Sequence, residues 1–314
     1  MSTPARISTK ISIAHPLETG AVLVGVLEQL EPDQPTKGRK IALILHGNYG
    51  CGHTLSLRLR RRILILHMLM RITIRHKDYV FQKDLAQRLP LDSFRFDFRG
   101  NFESSGKYVS CGFVEDMQDI ELVAEHLATV FGYDVALVVA HSRGAMAAFA
   151  WLCTSERGRP VPALVNASAR YRMDMMSALA AKYSASFAEK GYYDDEVVIA
   201  RQRVTKRIWP ADFAKGPAWD AGIVRTQFPA HTDVLTVHGM KDPAVPPYDA
   251  FIYAQILGAR APGTHNLYFI EDADHNFQGH RGEVVDAILQ WWELHTQRRL
   301  KTGVWQTEPA KGKL

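Results

Sequence analysis

Strands and helices alternate along this chain, and the alternation predicts an α/β fold: a doubly wound, mostly parallel sheet in a single domain over residues 1–314, with a small helical lid inserted at 170–230. Three observations carry that prediction. Short apolar runs of strand length recur from Ile41 to Ile270, most of them followed by apolar residues at three- and four-residue spacing. One such junction, beginning at Asp134, passes from an apolar strand through Ala-His-Ser142-Arg-Gly straight into a small-residue helix former. The rhythm then breaks at 170–230. There a Met/Ala-rich piece, a Tyr-Tyr-Asp-Asp-Glu turn and a basic piece ending at Trp209-Pro210 read as helical cover.

Taken in order, Lys10–Ile13 and Ala21–Leu27 read as two strands of an opening hairpin, and Pro32–Gly38 as a polar loop. Ile41–Leu45 is a buried strand ending in His46-Gly47-Asn48-Tyr49-Gly50. Val80–Leu89 is a short amphipathic helix. Ser93–Gly100 is the next strand and runs into the loop Asn101–Gly106. Val114–Phe131 has helical periodicity, followed by the strand from Asp134, a helix to about Thr154 and the strand Ala163–Ser168. After the lid come the strand Val234–Gly239, the helix Tyr248–Leu257, the strand Asn266–Ile270 and a last helix from Gly282 to about Arg298. The tail beyond Lys301 is polar and reads as loose.

Composition narrows the function classes. A chain of 314 residues with 46% hydrophobic and 23% charged residues can bury one sizeable core. It opens without an apolar leader and contains no apolar run of membrane-spanning length. Cys51, Cys111 and Cys153 are odd in number, scattered and without metal-ligand spacing. They read as free thiols of a reducing, cytoplasmic setting. The net charge of +5 is local: residues 51–75 hold arginines 58, 60, 61, 62, 71 and 75 and no acid, and without those six the chain is close to neutral. Nucleic acid is therefore not an expected partner. No phosphate loop, dinucleotide fingerprint or metal spacing is present, so neither cofactor nor metal is expected.

The junction at Ser142 has the strand–tight-turn–helix context of a nucleophile elbow, G-x-S-x-G, with Ala140 in the first glycine position and Gly144 in the second. Small residues are needed there because a strained serine backbone leaves no room on either flank. A serine nucleophile at neutral pH needs a base within hydrogen-bond reach and an acid to orient that base. Two downstream loops at strand ends supply candidates: His238-Gly-Met-Lys-Asp242-Pro-Ala-Val-Pro246, and Glu271-Asp-Ala-Asp-His275-Asn-Phe277. Two readings stand for each: Asp242 as orienting acid or as a turn carboxylate before proline, His275 as general base or as a surface histidine, one of thirteen histidines in the chain. His141, beside the serine, reads as structural. His46 and His238, each before a glycine at a strand end, read as loop braces. Asp97 and Arg99 read as an ion pair with one another.

Five blocks carry a family resemblance: His46-Gly47, Asp97-x-Arg99-Gly100-x-x-x-Ser104, His141-Ser142-x-Gly144, His238-Gly-x-x-Asp242-x-x-Val-Pro, and Asp274-His275-x-Phe277. In this order and spacing the chain resembles an α/β-hydrolase superfamily serine hydrolase of the serine esterase, cinnamoyl-esterase-like and acylpeptidase-like group. The resemblance implies Ser142 as nucleophile, Asp242 as acid and His275 as base, with the backbone N–H groups of Asn48 and Arg143 as the oxyanion hole. It implies cleavage of a carboxylic ester, or of a thioester or amide, through an acyl-enzyme. The Met, Tyr, Phe and Trp content of 170–230 suggests a small-molecule ester with an apolar or aromatic acyl group. An acyltransferase or peptidase using the same triad, and a non-catalytic hydrolase-fold protein, are the alternatives.

Residues 51–75 stand apart. In such a fold the His-Gly loop feeds the first helix within a few residues. With 51–75 removed, His-Gly-Asn-Tyr-Gly runs directly into His76-Lys-Asp-Tyr-Val-Phe. Three readings compete for the acid-free, Arg-rich insert: a basic helix lying on an anionic membrane, a partner-binding insertion, and an intron retained in the reading frame. The confined shift in composition favours the intron. An insertion beside Asn48 is expected to weaken the oxyanion hole, since a misplacement of about 1 Å can cost roughly 100-fold in rate.

Overall fold

The computed structural model describes residues 6–47, 76–174, 181–199, 202–215 and 220–306. Asn48 and the basic segment 51–75 lie outside these residues. The chain opens with strands β1 (Ile7–Ala14) and β2 (Val22–Gln29), paired antiparallel as the expected hairpin. Then follow β3 (Lys40–Leu45), α1 (Gln82–Arg88), β4 (Asp92–Phe96), α2 (Phe113–His126), β5 (Asp134–His141), α3 (Arg143–Thr154) and β6 (Ala163–Ala167). The interrupting segment contributes α4 (Ser184–Lys190), β7 (Tyr193–Ile199), β8 (Gln202–Ile208), α5 (Pro210–Lys215) and α6 (Ile223–Gln227). The alternation resumes with β9 (Asp233–Gly239), α7 (Tyr248–Leu257), β10 (His265–Ile270), α8 (Arg281–Thr296) and the short β11 (Gly303–Val304).

Among the described residues the main sheet runs β1-β2-β4-β3-β5-β6-β9-β10-β11. β2 is antiparallel to both neighbours, and every later pairing is parallel. Parallel strands need crossovers, and the crossover helices cover both faces of the sheet. The strand period of two divides the core accordingly. Ile41, Leu43 and Leu45 of β3, with Val138 and Ala140 of β5, face a layer built from α2, α3 and α7. Ala42 and Ile44, with Leu137 and Val139, face α1 and α8. All strand–helix loops that carry candidate chemistry therefore emerge at one edge, the C-terminal ends of the parallel strands.

Three expectations need correction. The segment 170–230 is not all helical: 193–199 and 202–208 form an antiparallel hairpin whose register sets Asp194 opposite Arg207 and Asp195 opposite Lys206. Arg207 clasps Asp194 through two bonds of 2.8 and 3.0 Å. Acid-against-base pairing across strands is invisible to a periodicity reading of one piece at a time. The helix predicted over 114–131 changes to π-helical pitch at Leu127–Phe131 and stops at Gly132, in the left-handed region at φ 74°. The start of the tail beyond Lys301 is not loose: Gly303 and Val304 extend the sheet beside β10, and the Trp305 N–H donates to the Leu267 carbonyl at 2.7 Å, while residues 307–314 lie outside the described residues. No helix among the described residues is long and apolar enough to cross a membrane.

Candidate active site

The strand β5 delivers Ser142 to the sheet edge, and α3 starts on the next residue. Between them Ser142 takes φ 54° and ψ −121°, a conformation that costs a non-glycine residue of order 1–3 kcal/mol. Its surroundings hold it there. The Ser142 N–H donates to the Ala167 carbonyl at 2.7 Å, and the helix start presses against β3. A Cβ on Gly144 would lie 2.4 Å from the His46 carbonyl oxygen, which is why the second small position of the motif is glycine. The first tolerates Ala140, a regular strand residue paired with Leu45 and Asn166, its methyl buried in the core.

His275, on the loop after β10, and Asp242, on the loop after β9, converge on this serine. His275 Nε2 lies 2.9 Å from Ser142 Oγ, and His275 Nδ1 lies 2.6 Å from Asp242 Oδ2. All three side chains are buried. Asp242 Oδ1 accepts the backbone N–H groups of Ala244 and Val245, both at 2.8 Å. Burial alone would raise the Asp242 carboxyl. The facing His275 imidazole and hydrogen bonds from His238 and His275 outweigh it and hold the group well below the usual carboxylate range. Gly239 brings the two loops together: a Cβ there would stand 2.3 Å from the Ala273 carbonyl oxygen.

The family pattern described as "Alpha/beta hydrolase family" matches residues 42–287, which span β3 to α8. The chain belongs to the alpha/beta hydrolase family. A Saccharomyces cerevisiae protein, YDL057W, is 28% identical to this hydrolase-family chain over 269 residues, 79% of this chain and 71% of the yeast protein. Among solved structures it is similar to Est1E from Butyrivibrio proteoclasticus with ferulic acid bound (TM-score 0.62, 15% identical, covering 91% of this chain and 99% of that one). It is also similar to the esterase Pf2001 from Pyrococcus furiosus (TM-score 0.57, 14% identical, 91% and 92% covered).

Around the three residues, this alpha/beta hydrolase uses histidines to fasten loops. His141 Nε2–H donates to the carbonyl of His275 itself at 2.8 Å. His46 donates from Nδ1 to its neighbour's Gly47 carbonyl and accepts the Phe98 N–H on Nε2 at 3.1 Å. That arrangement needs a neutral ring, and burial pushes the imidazole down to about 3. His238 Nε2 lies 2.9 Å from the Val245 carbonyl and 3.3 Å from Asp242 Oδ2, so one N–H serves the acid and its loop together.

The expected Asp97–Arg99 pair does not form. Asp97 instead binds Lys77, taking the backbone N–H at 2.7 Å and the ammonium at 2.9 Å. Arg99 binds Asp119 through its N–H at 2.8 Å and its Nε at 2.7 Å. Both residues lie in the loop just after β4, where Asp97 meets the turn before α1 and Arg99 meets α2. A further clamp is the side chain of Arg143. It grips Asp116 through Nε at 2.5 Å and Nη2 at 3.0 Å, and reaches the Val109 and Gly112 carbonyls. Its backbone N–H begins α3 and belongs to the donors that a helix start leaves without an intrahelical partner. Asn48, the other expected oxyanion donor, lies outside the described residues. The signal for the missed partners was present: Asp116 and Asp119 share the helix face of Ile120 and Val123, and acids on a core face require cations. Among the described residues, no group of three His, Cys, Asp or Glu side chains is close enough to hold a metal ion.

Proposed function

We propose that the chain is a serine esterase that cleaves a small carboxylic ester through an acyl-enzyme. The observation that carries this reading is the continuous line from Ser142 Oγ through both nitrogens of His275 to Asp242, at a strained elbow. Ser142 attacks the ester carbonyl while His275 Nε2 takes its proton. The same proton goes to the departing alkoxide, and water repeats the sequence to release the acid. Asp242 keeps the Nδ1 proton in place and stabilises the imidazolium. The Arg143 N–H is the candidate donor to the charge that develops on the carbonyl oxygen, where one donor is worth about 2.7–4 kcal/mol.

Esterases among the structural neighbours support ester over other acyl bonds, and the ferulic acid bound to Est1E makes a feruloyl ester a rational probe here. The aromatic side chains of the segment after β6 say less about the acyl group. Tyr183, Phe187, Tyr193 and Phe213 pack against one another in tilted and edge-to-face contacts within that segment.

The test is labelling of the full chain by a fluorophosphonate together with hydrolysis of p-nitrophenyl acetate, p-nitrophenyl butyrate and methyl ferulate. Modification is expected at Ser142, and S142A abolishes both labelling and turnover. Ester hydrolysis that survives S142A ends this reading.

A further inference from the structure

The candidate acid is held by more than its two histidines. Asp242 Oδ1 accepts the Val245 N–H at 2.8 Å, and the carbonyl of that same peptide unit belongs to Ala244. The guanidinium of Arg170, from the segment that follows β6, donates from Nη2 to this Ala244 carbonyl. Charge placed on the oxygen end of an amide polarises it, so the N–H at the other end becomes a stronger donor. A fixed chain therefore runs from Arg170 through the Ala244–Val245 peptide to Asp242 Oδ1, while Asp242 Oδ2 faces His275 Nδ1 at 2.6 Å.

We propose that Arg170 is a positioning residue for the Asp242 carboxylate, acting through the Ala244–Val245 peptide; this rests on the reading of Asp242 as the orienting acid. The Arg170 backbone is pinned for the task. Its carbonyl accepts the Tyr253 hydroxyl at 3.0 Å, and the next residue, Tyr171, donates its N–H to Asp249 Oδ2 at 3.1 Å. Arg172 completes the anchor with Nε 2.5 Å from Asp249 Oδ1. Asp249 is fully buried on α7, the helix that the Asp242 loop enters through Pro246 and Pro247. Asp249 is thus spent on Arg172, and among the described residues no carboxylate lies within ion-pair distance of Arg170. Its charge is left to act on the carbonyl.

The charged and titratable groups that face this unit are few. Asp249, Asp242, Arg172 and Asp174 surround Arg170, and His275 and His238 surround Asp242. Removing the Arg170 charge removes a cation near the Asp242–His275 pair, which makes the imidazolium easier to form. It also loosens the peptide that aims Oδ1.

The experiment compares R170Q and R170K with wild type and S142A in the full chain, following kcat and KM from pH 5 to 9. R170Q is expected to lower kcat about tenfold with KM within about twofold, and to move the acidic limb of kcat/KM up by about half a pH unit. R170K retains a cation and keeps the limb at its wild-type position, while its single-point ammonium lowers kcat about threefold. An R170Q enzyme with wild-type kcat and limb overturns the proposal, as does a loss confined to KM or to melting temperature. Where R170Q does not fold, R170K decides: wild-type kcat in R170K overturns it. A wild-type protein without Ser142-dependent turnover would instead defeat the esterase reading, so the two failures are distinguishable.

Discussion

The sharpest test of the elbow is to fill the space at Gly144. In G144A the new methyl carbon starts 2.4 Å from the His46 carbonyl oxygen, 3.2 Å from the carbonyl carbon and 3.3 Å from Leu45 Cβ. Real Cβ atoms essentially never come closer than 3.0 Å to such an atom, so α3 and the end of β3 must separate by about 0.6 Å or more. Neither side yields without consequence. Leu45 is paired with both Phe96 and Ala140, and the His46 ring holds the Phe98 N–H. On the other side, Ser142 is fastened to Ala167.

The displacement therefore reaches either His46-Gly47, directly before Asn48, or the Arg143 N–H, the two candidate oxyanion donors. Misplacement of about 1 Å can cost roughly 100-fold, so a shift of about half that size is expected to lower kcat about tenfold or more, a barrier increase of about 1.4 kcal/mol. Alanine is the better helix former by about 1 kcal/mol, which offsets part of an overpacking penalty of about 1–3 kcal/mol. Stability then falls little while kcat falls clearly. The assay is kcat for p-nitrophenyl butyrate beside thermal unfolding followed by circular dichroism. A folded G144A with kcat within about twofold of wild type would refute the reasoning.

Two further substitutions probe the electrostatics. D242N leaves the geometry nearly intact but removes the acceptor that fixes the His275 tautomer; kcat should fall on the order of 10⁴-fold. Because the folded Asp242 carboxyl sits below its unfolded value, the stabilisation it supplies is complete above about pH 4 and is lost as pH falls further. The wild-type advantage over D242N in urea unfolding should accordingly shrink in acid, and a gap that widens there contradicts the shift. Lys206 of β8 is buried with Nζ 3.1 Å from Asn101 Oδ1 and 3.6 Å from the Tyr108 ring centroid, and burial pushes its ammonium down to about 7. The folded value lies below the unfolded value of about 10.4, so this lysine makes stability rise with pH between the two. K206M lacks that term: it should be more stable than wild type at pH 6, with the difference shrinking by on the order of 2–3 kcal/mol by pH 9. An unchanging difference across that range rules the shift out.

Legibility in the sequence followed the distance over which an interaction acts. The strands and the loops that carry Ser142, Asp242 and His275 were readable because local signals mark them: apolar runs, then Gly, Asp or Pro at the strand end. What failed depended on partners far along the chain. Proximity in sequence pairs Asp97 with Arg99, whereas their partners Lys77 and Asp119 each arrive from 20 residues away. The β7–β8 hairpin escaped for a related reason, since its stabilising pairs join an acidic piece to a basic one that each look helical or turn-like alone. Arg143 was read for its backbone only; that its side chain clamps Asp116 could be inferred from two buried acids on one helix face.

The same long-range clamps bear on the anomalous segment through its flanks. On one side His46 is fixed by the Phe98 N–H, and on the other Lys77 is fixed by the Asp97 carboxylate through backbone and side chain alike. Asp97 and Phe98 are consecutive residues directly after β4. The described residues therefore break off at Gly47 and resume at His76 beside adjacent residues of one loop, and both anchors are buried. A loop that departs and returns at one place can be short or long with little effect on the sheet, since each doubling of loop length adds only about 0.6 kcal/mol of closure entropy. That is the topology an insertion requires if the surrounding fold is to survive it. The penalty of such an insertion would fall on the candidate oxyanion donor Asn48, next in sequence after the anchored His46-Gly47, and not on Ser142, His275 or Asp242.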